Sequence, residues 1–196
     1  MSMSFDVWAV NPGQSDDDYF YGSASIAAAG SLSLSGNTIG RNGWGYQLSI
    51  TSDGADSATV FTVTGLAVGN LDGQRTTEVI IGPSATVTYS ATYWSSVDSI
   101  VASSSSVGGV KIGFGGNLAL PRTRIKSVYY VAGTSGNITF TSQRYNTVVL
   151  RIGTPSANVA GISFVPPDGI LTTKSGMNDF CVVVASGVVD STIFCG

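Results

Sequence analysis

From residue 23 onward the chain is cut into short runs in which apolar and polar side chains alternate with a period of two, and turn chemistry separates one run from the next. Ser31 to Leu34, Tyr46 to Thr51 and Val60 to Thr64 alternate in this way, the last after the turn-like Ser52-Asp53-Gly54-Ala55-Asp56. Alternation of this kind puts successive side chains on opposite faces of a strand and leaves a helix with no apolar stripe. Composition agrees: Val, Ile and Thr total 54 residues, whereas Glu occurs once, Lys three times and Leu nine times. β-Branched residues favour pleated surfaces, and the surface of a helix is built from the residues this chain lacks. The sequence therefore predicts an all-β fold, an antiparallel β-sandwich or jelly-roll-like architecture with little or no helix.

Further runs continue the pattern. Thr76 to Ile81, Ala85 to Ala91, Ser99 to Val101 and Val110 to Phe114 complete a first set, and Arg124 to Val131, Asn137 to Thr141, Thr147 to Ile152, Ala160 to Val165, Phe180 to Ala185 and Thr192 to Cys195 form a second. Between the sets, Gly115-Gly116-Asn117-Leu118-Ala119-Leu120-Pro121 combines glycines with a strand-breaking proline and reads as a boundary. Two consecutive β-modules are expected, residues 23–118 and 121–196, preceded by an N-terminal arm or edge segment, residues 1–22. In that segment Asp16, Asp17 and Asp18 run into Tyr19, Phe20 and Tyr21; the carboxylates favour water and the aromatics favour cover, so the segment is expected to lie against a surface, its own or a neighbour's.

Charge and residue inventory exclude several classes. The net charge is −3, and residues 1–120 hold nine acidic and three basic side chains against three acidic and six basic in 121–196. No concentrated basic face for nucleic acid is expected from this distribution, which suits acidic-to-basic contact between copies. The chain has no His, which removes the commonest general base and zinc ligand. No stretch approaches the roughly 18 apolar residues of a membrane span, and the start has no signal-peptide pattern, so a product made in the cytoplasm without membrane partners is expected.

Candidate chemistry is sparse. A glycosidase needs two carboxyl groups across the scissile bond, and Asp72, Glu78, Asp98 and Asp168 are available, although Asp72 and Asp168 precede Gly in turns where Asp serves the backbone. Asp53-Gly54-Ala55-Asp56-Ser57 clusters oxygen donors without the spacing of an EF-hand; turn capping stands there beside a weak structural ion, and the Asp16 to Asp18 run has the same two readings. A Ser-Lys arrangement through Lys111, Lys126 or Lys174 has no nucleophile elbow near it. No catalytic residue, metal site or cofactor is assigned. Trp44, Tyr93 and Trp94, beside Gly, Asn and Ser, are the candidates for stacking on sugar rings, with core packing as the alternative. Cys181 and Cys195 are equidistant from Val188, so a hairpin closing around Ser186 to Asp190 would bring them together, as a bridge or as two buried thiols; a reducing cytosol favours the thiols.

Two stretches are recognisable. Ser25 to Leu34, followed by Leu48 to Gly65, resembles a recurrent module of small structural proteins from tailed bacteriophages, in which an Asp-Gly turn, a Thr-Glu strand and an aromatic-Ser-Val segment come next. Asp72-Gly73, Thr76 to Ile80, Tyr93 to Val97 and Val107 to Gly113 occupy those places, and the loop Leu66 to Leu71 departs from the pattern in being longer. Ile125 to Tyr129, Gly136 to Phe140, Pro166 to Ile170 and Val188 to Gly196 resemble a β-module of phage virion proteins. The resemblance implies a virion structural protein rather than an enzyme. A capsid decoration or cement protein on the outer shell is the expectation, with the major capsid protein and further copies of itself, as a homotrimer, for partners. A tail or fibre adhesin binding host glycan through Trp44, Tyr93 and Trp94 is the alternative, and a glycan depolymerase the second.

Overall fold

The computed structural model describes residues 8–10, 15–35, 44–70, 73–120, 123–156, 159–172 and 179–195, and among these the chain is all-β. In chain order the strands are β1 (Trp8–Val10), β2 (Asp16–Ser25), β3 (Gly30–Ser31), β4 (Gly45–Ser52), β5 (Val60–Ala67), β6 (Arg75–Ile81) and β7 (Val87–Ala102). They continue as β8 (Gly109–Leu120), β9 (Arg124–Ser142), β10 (Thr147–Thr154), β11 (Val159–Phe164), β12 (Ile170–Leu171) and β13 (Cys181–Cys195). The pairings run antiparallel. Two compact units share the chain: residues 15–116, and residues 117–196 together with 1–14.

The 15–116 unit has the strand order β8-β4-β7-β5-β6, with β2 added to β8 and β3 to β7. β5 alternates without interruption between half-covered and buried positions, and its seven pairs with β6, from Val60 opposite Ile81 to Leu66 opposite Arg75, show no shift. β7 serves three partners: Val87 to Trp94 pair with β4 and Trp94 to Ala102 with β5, each with register shifts, and Val101 and Ala102 also pair with β3. Val87 to Ala91, from the expected strand Ala85 to Ala91, and Ser99 to Val101 are thus parts of one 16-residue strand, and Ala85 and Thr86 lie in the bend before it. Leu48, Ile50, Phe61, Val63, Trp94, Ile100 and Ile112 are fully buried there. Each such side chain contributes about 2 kcal/mol by burial.

The second unit is organised on β9, 19 residues long. β10 and β13 flank its C-terminal half, and β11, β12 and the end of β13 flank its N-terminal half. The expected hairpin around Val188 does not form. β13 is a single 15-residue strand that follows β9 from Cys181 opposite Ser142 to Cys195 opposite Ile125. The turn-like Ser186-Gly187-Val188 is instead a bulge: Gly187 sits at φ +69°, a left-handed conformation that glycine adopts without steric cost, and four residues of β9 bulge against it.

The boundary lies at Gly116/Asn117, inside the stretch read as a break. It is not a linker. β8 runs through it, and Leu118, Ala119 and Leu120 are fully buried and pair with Val183, Val182 and Cys181 of β13. Of the expected arm or edge segment, Asp16 to Ser25 form a strand paired with β8, with Ala24 opposite Val110 and Asp16 opposite Phe114. Residues 1–7 and 11–14 lie outside the described part.

Candidate functional site

The most highly organised polar cluster is the loop after β4. The Asp56 carboxylate, 1% exposed, accepts hydrogen bonds from the Ser52 hydroxyl at 2.5 Å and from the backbone N–H groups of Val107 at 2.5 Å and Gly108 at 3.3 Å. Asp53 accepts one from the N–H of Gly109 at 2.6 Å. Burial pushes the Asp56 carboxyl upward, but the three donors outweigh it and hold the pKa below the usual 3.8. Gly54 and Gly108 permit this clasp: a Cβ on Gly108 would meet the Cα of Gly54 at 2.7 Å. The oxygen donors that resemble a cation loop are therefore turned onto backbone amides, and the cluster works as a clamp between residues more than 50 positions apart.

Other carboxylates considered for chemistry have comparable tasks. Both oxygens of Glu78 accept backbone N–H groups across the fold of β7, from Ala91 at 2.6 Å and Thr92 at 3.0 Å. Asp98 pairs with Arg75 at 2.6 Å. Asp179, 2% exposed and absent from the sequence reading, accepts from the Ser142 hydroxyl at 2.7 Å and the Arg144 N–H at 3.1 Å, which fixes the turn between β9 and β10. Asp168 is exposed, in the turn closed by the N–H of Gly169 on the carbonyl of Pro166 at 3.2 Å. Asp72 and Lys174 lie outside the described residues. Lys111 bonds Asp17 and is drawn above its usual pKa by that hydrogen bond and charge, while Lys126 is half-buried on β9.

Asp16, Asp17 and Asp18 bring their carboxylate oxygens within 4.8 Å of one another, and Lys111 Nζ stands 3.0 Å from Asp17. This is the grouping among the described residues with the spacing of a cation site, and its middle member is already neutralised. The aromatics that follow are not left for a neighbour. Phe20 is fully buried, its ring 4.7 Å from Phe114, and Tyr19 and Tyr46 also lie against Phe114, at 4.6 and 4.7 Å between centroids. Tyr21 is half-covered on β2.

The stacking residues named for a glycan are interior. Trp44 is 9% exposed, Tyr93 8% and Trp94 0%. A ring stacks on a sugar only when one face is open, so these three correct the adhesin assignment of residues. Tyr93 and Trp94 point to opposite sides of β7, and both sides are covered here. A shallow depression of about 270 Å³ is bounded by Tyr21 and the segment Ser25 to Ser33, largely small Ala, Ser and Gly side chains, and brings no charged group together.

Cys181 and Cys195 are free thiols, fully buried. Burial, with smaller contributions from the Asp179 charge and from Cys195, pushes Cys181 up to about 12, and burial pushes Cys195 up to about 11. The thiolate is the reactive form. At pH 8, iodoacetamide should leave both thiols unlabelled in folded protein and label both in urea; rapid labelling of the native chain would contradict the burial. Because both thiols stay protonated in the folded state beyond the point at which unfolded thiols ionise, near 9.0, they should make stability fall as pH rises above that value.

Comparison with protein-family models, with curated proteins and with solved structures gave no match. No helix among the described residues is long and apolar enough to cross a membrane.

Proposed function

We propose that this chain is a structural protein of a tailed-bacteriophage virion, a capsid decoration or cement protein that binds the outer shell at capsomer junctions together with copies of itself. The observation that carries the reading is the use the chain makes of its carboxylates. Asp53, Asp56, Glu78 and Asp179 tie backbone to backbone across loops, strands and turns. Polar groups spent on fixing long strands against one another favour a stiff building block, whereas catalysis needs acids left free to exchange protons. The phage resemblance of the two β-modules supplies the setting. In that role the protein covers joints between capsomers and resists the outward pressure of packed DNA through many modest interfaces summed over the shell.

Glycan binding or cleavage receives less support, since Trp44, Tyr93 and Trp94 are covered and Glu78 and Asp98 are occupied. The test is add-back. Particles lacking the protein should lose DNA at a lower temperature than wild-type particles, and purified protein should restore retention. Equal retention with and without it would refute a cementing role, and loss of host-cell adsorption alone would assign the chain to the tail.

A further inference from the structure

The sequence holds three Asp-Gly steps: Asp53-Gly54, Asp72-Gly73 and Asp168-Gly169. In such a step the glycine nitrogen can attack the aspartate side chain with little hindrance, because glycine has no Cβ to crowd the approach. Asp72 lies outside the described residues, and the other two steps stand in opposite surroundings. Asp53 accepts the N–H of Gly109 at 2.6 Å, and the N–H of Gly54 is held by the Ser52 hydroxyl at 3.0 Å. Gly54 also lies directly against the backbone of Gly108. Both reacting groups of that step are pinned inside the clamp.

Asp168 is exposed, and its carboxylate holds no hydrogen bond or ion pair among the described residues. The Gly169 N–H reaches the Pro166 carbonyl at 3.2 Å, the long end of the normal range, with Gly169 at φ +69°. The turn stands clear of the sheet: β11 ends with Phe164 opposite Val128 and β12 resumes with Ile170 opposite Ile125, so Val165 to Gly169 leave β9 and return to it. Arg124 Nη1 donates to the Asp168 carbonyl at 3.3 Å, which draws electron density from the adjoining amide and eases loss of the Gly169 proton. We propose that Asp168-Gly169 is a site of spontaneous covalent modification, where Asp168 converts to isoaspartate, and that the fold protects Asp53-Gly54 from the same reaction. The Gly169 nitrogen bonds to the Asp168 side-chain carbonyl carbon, and the amide proton leaves with the carboxyl hydroxyl as water, closing a succinimide. Water then opens the ring at the backbone carbonyl, which restores the lost atoms and routes the main chain through the side chain. Water is the sole co-reactant. The product keeps one carboxylate and adds a methylene to the backbone between β11 and β12.

The test is ageing followed by peptide mapping. Full-length protein, native and in urea, is incubated at mildly acidic pH, because the hydroxyl leaves from a protonated carboxyl. Isoaspartate is then quantified in each peptide by resistance to an aspartate-specific endoproteinase and by methyl transfer from S-adenosylmethionine with an isoaspartate methyltransferase. In native protein it should accumulate at Asp168 about tenfold or more faster than at Asp53, since the hydrogen bond to the charged Asp53 must open before the ring can close. In urea the two rates should converge. Asp168→Asn, at an exposed position and checked for folding by circular dichroism, should form the same ring faster, releasing ammonia in place of water. Absence of conversion at Asp168, equal native rates at Asp53 and Asp168, or an Asp168→Asn variant no faster than wild type would each overturn the proposal. None of these outcomes bears on the add-back test with particles, so the modification and the virion role stand or fall separately.

Discussion

Phe20→Ala is expected to destabilise the protein by about 4 kcal/mol, the usual range for a large aromatic removed from a packed interior. The ring is fully buried and touches Phe114 and Tyr19, so its loss empties the junction of β2 with β8 and exposes the rings that share it. For a chain of this size the melting temperature should fall by on the order of 10 °C. Deleting residues 1–22 removes the same ring and should be at least as damaging to residues 15–116. Urea titration of the variant measures this directly. A change below about 1 kcal/mol would mean that Asp16 to Tyr21 is the detachable arm that its sequence resembles.

The second large effect belongs to Asp56→Ala. Its carboxylate is the acceptor for Ser52, Val107 and Gly108, and removal leaves two backbone N–H groups of the facing loop without that acceptor. A loss of about 3 kcal/mol is expected, since hydrogen bonds to a charged acceptor are worth about 1.5–3 kcal/mol each and part is recovered by water entering the gap. The pH dependence has a definite sign. The folded-state pKa lies below the ordinary 3.8, so the stabilisation is fully present above that value and is lost as pH falls through the lower, folded value. Wild type should therefore lose stability in acid below about pH 4 more steeply than Asp56→Ala. Parallel acid profiles for the two proteins would show that the clamp does not depend on the ionised carboxylate.

These two residues also mark what a sequence of this kind reveals. β5 was legible because it alternates cleanly, and β6 because its β-branched Thr, Val and Ile run between the Asp72-Gly73 and Gly82-Pro83 turn signals, so local pattern and final pairing agree. β7, β9 and β13 were read as shorter pieces. Glycines and polar residues such as Ser186-Gly187 signal a turn locally, and only the partner strand decides whether they close a hairpin or bulge within a continuing strand. The same limit applies to the polar cluster. Turn capping by Asp53 and Asp56 is visible in their spacing with Gly54, but the amides they hold lie at Val107 to Gly109, and no local rule connects positions so distant. Asp179 gave no signal, being a lone acid whose importance comes from the turn packed over it. Burial of Trp44 and Trp94 was hidden by their Gly and Ser neighbours, which look like loop in the sequence. Nothing in the alternation of β6 or β10 marks either as an edge; that follows from strand order alone.

The most direct test of the proposed virion role is the number of copies of this chain in purified particles of its proposed source, a tailed phage, measured by quantitative mass spectrometry against the major capsid protein. A decoration protein should be present at hundreds of copies per particle, in a fixed small-integer ratio to the shell subunit. A few copies to a few dozen, or none, would contradict a capsid-covering role.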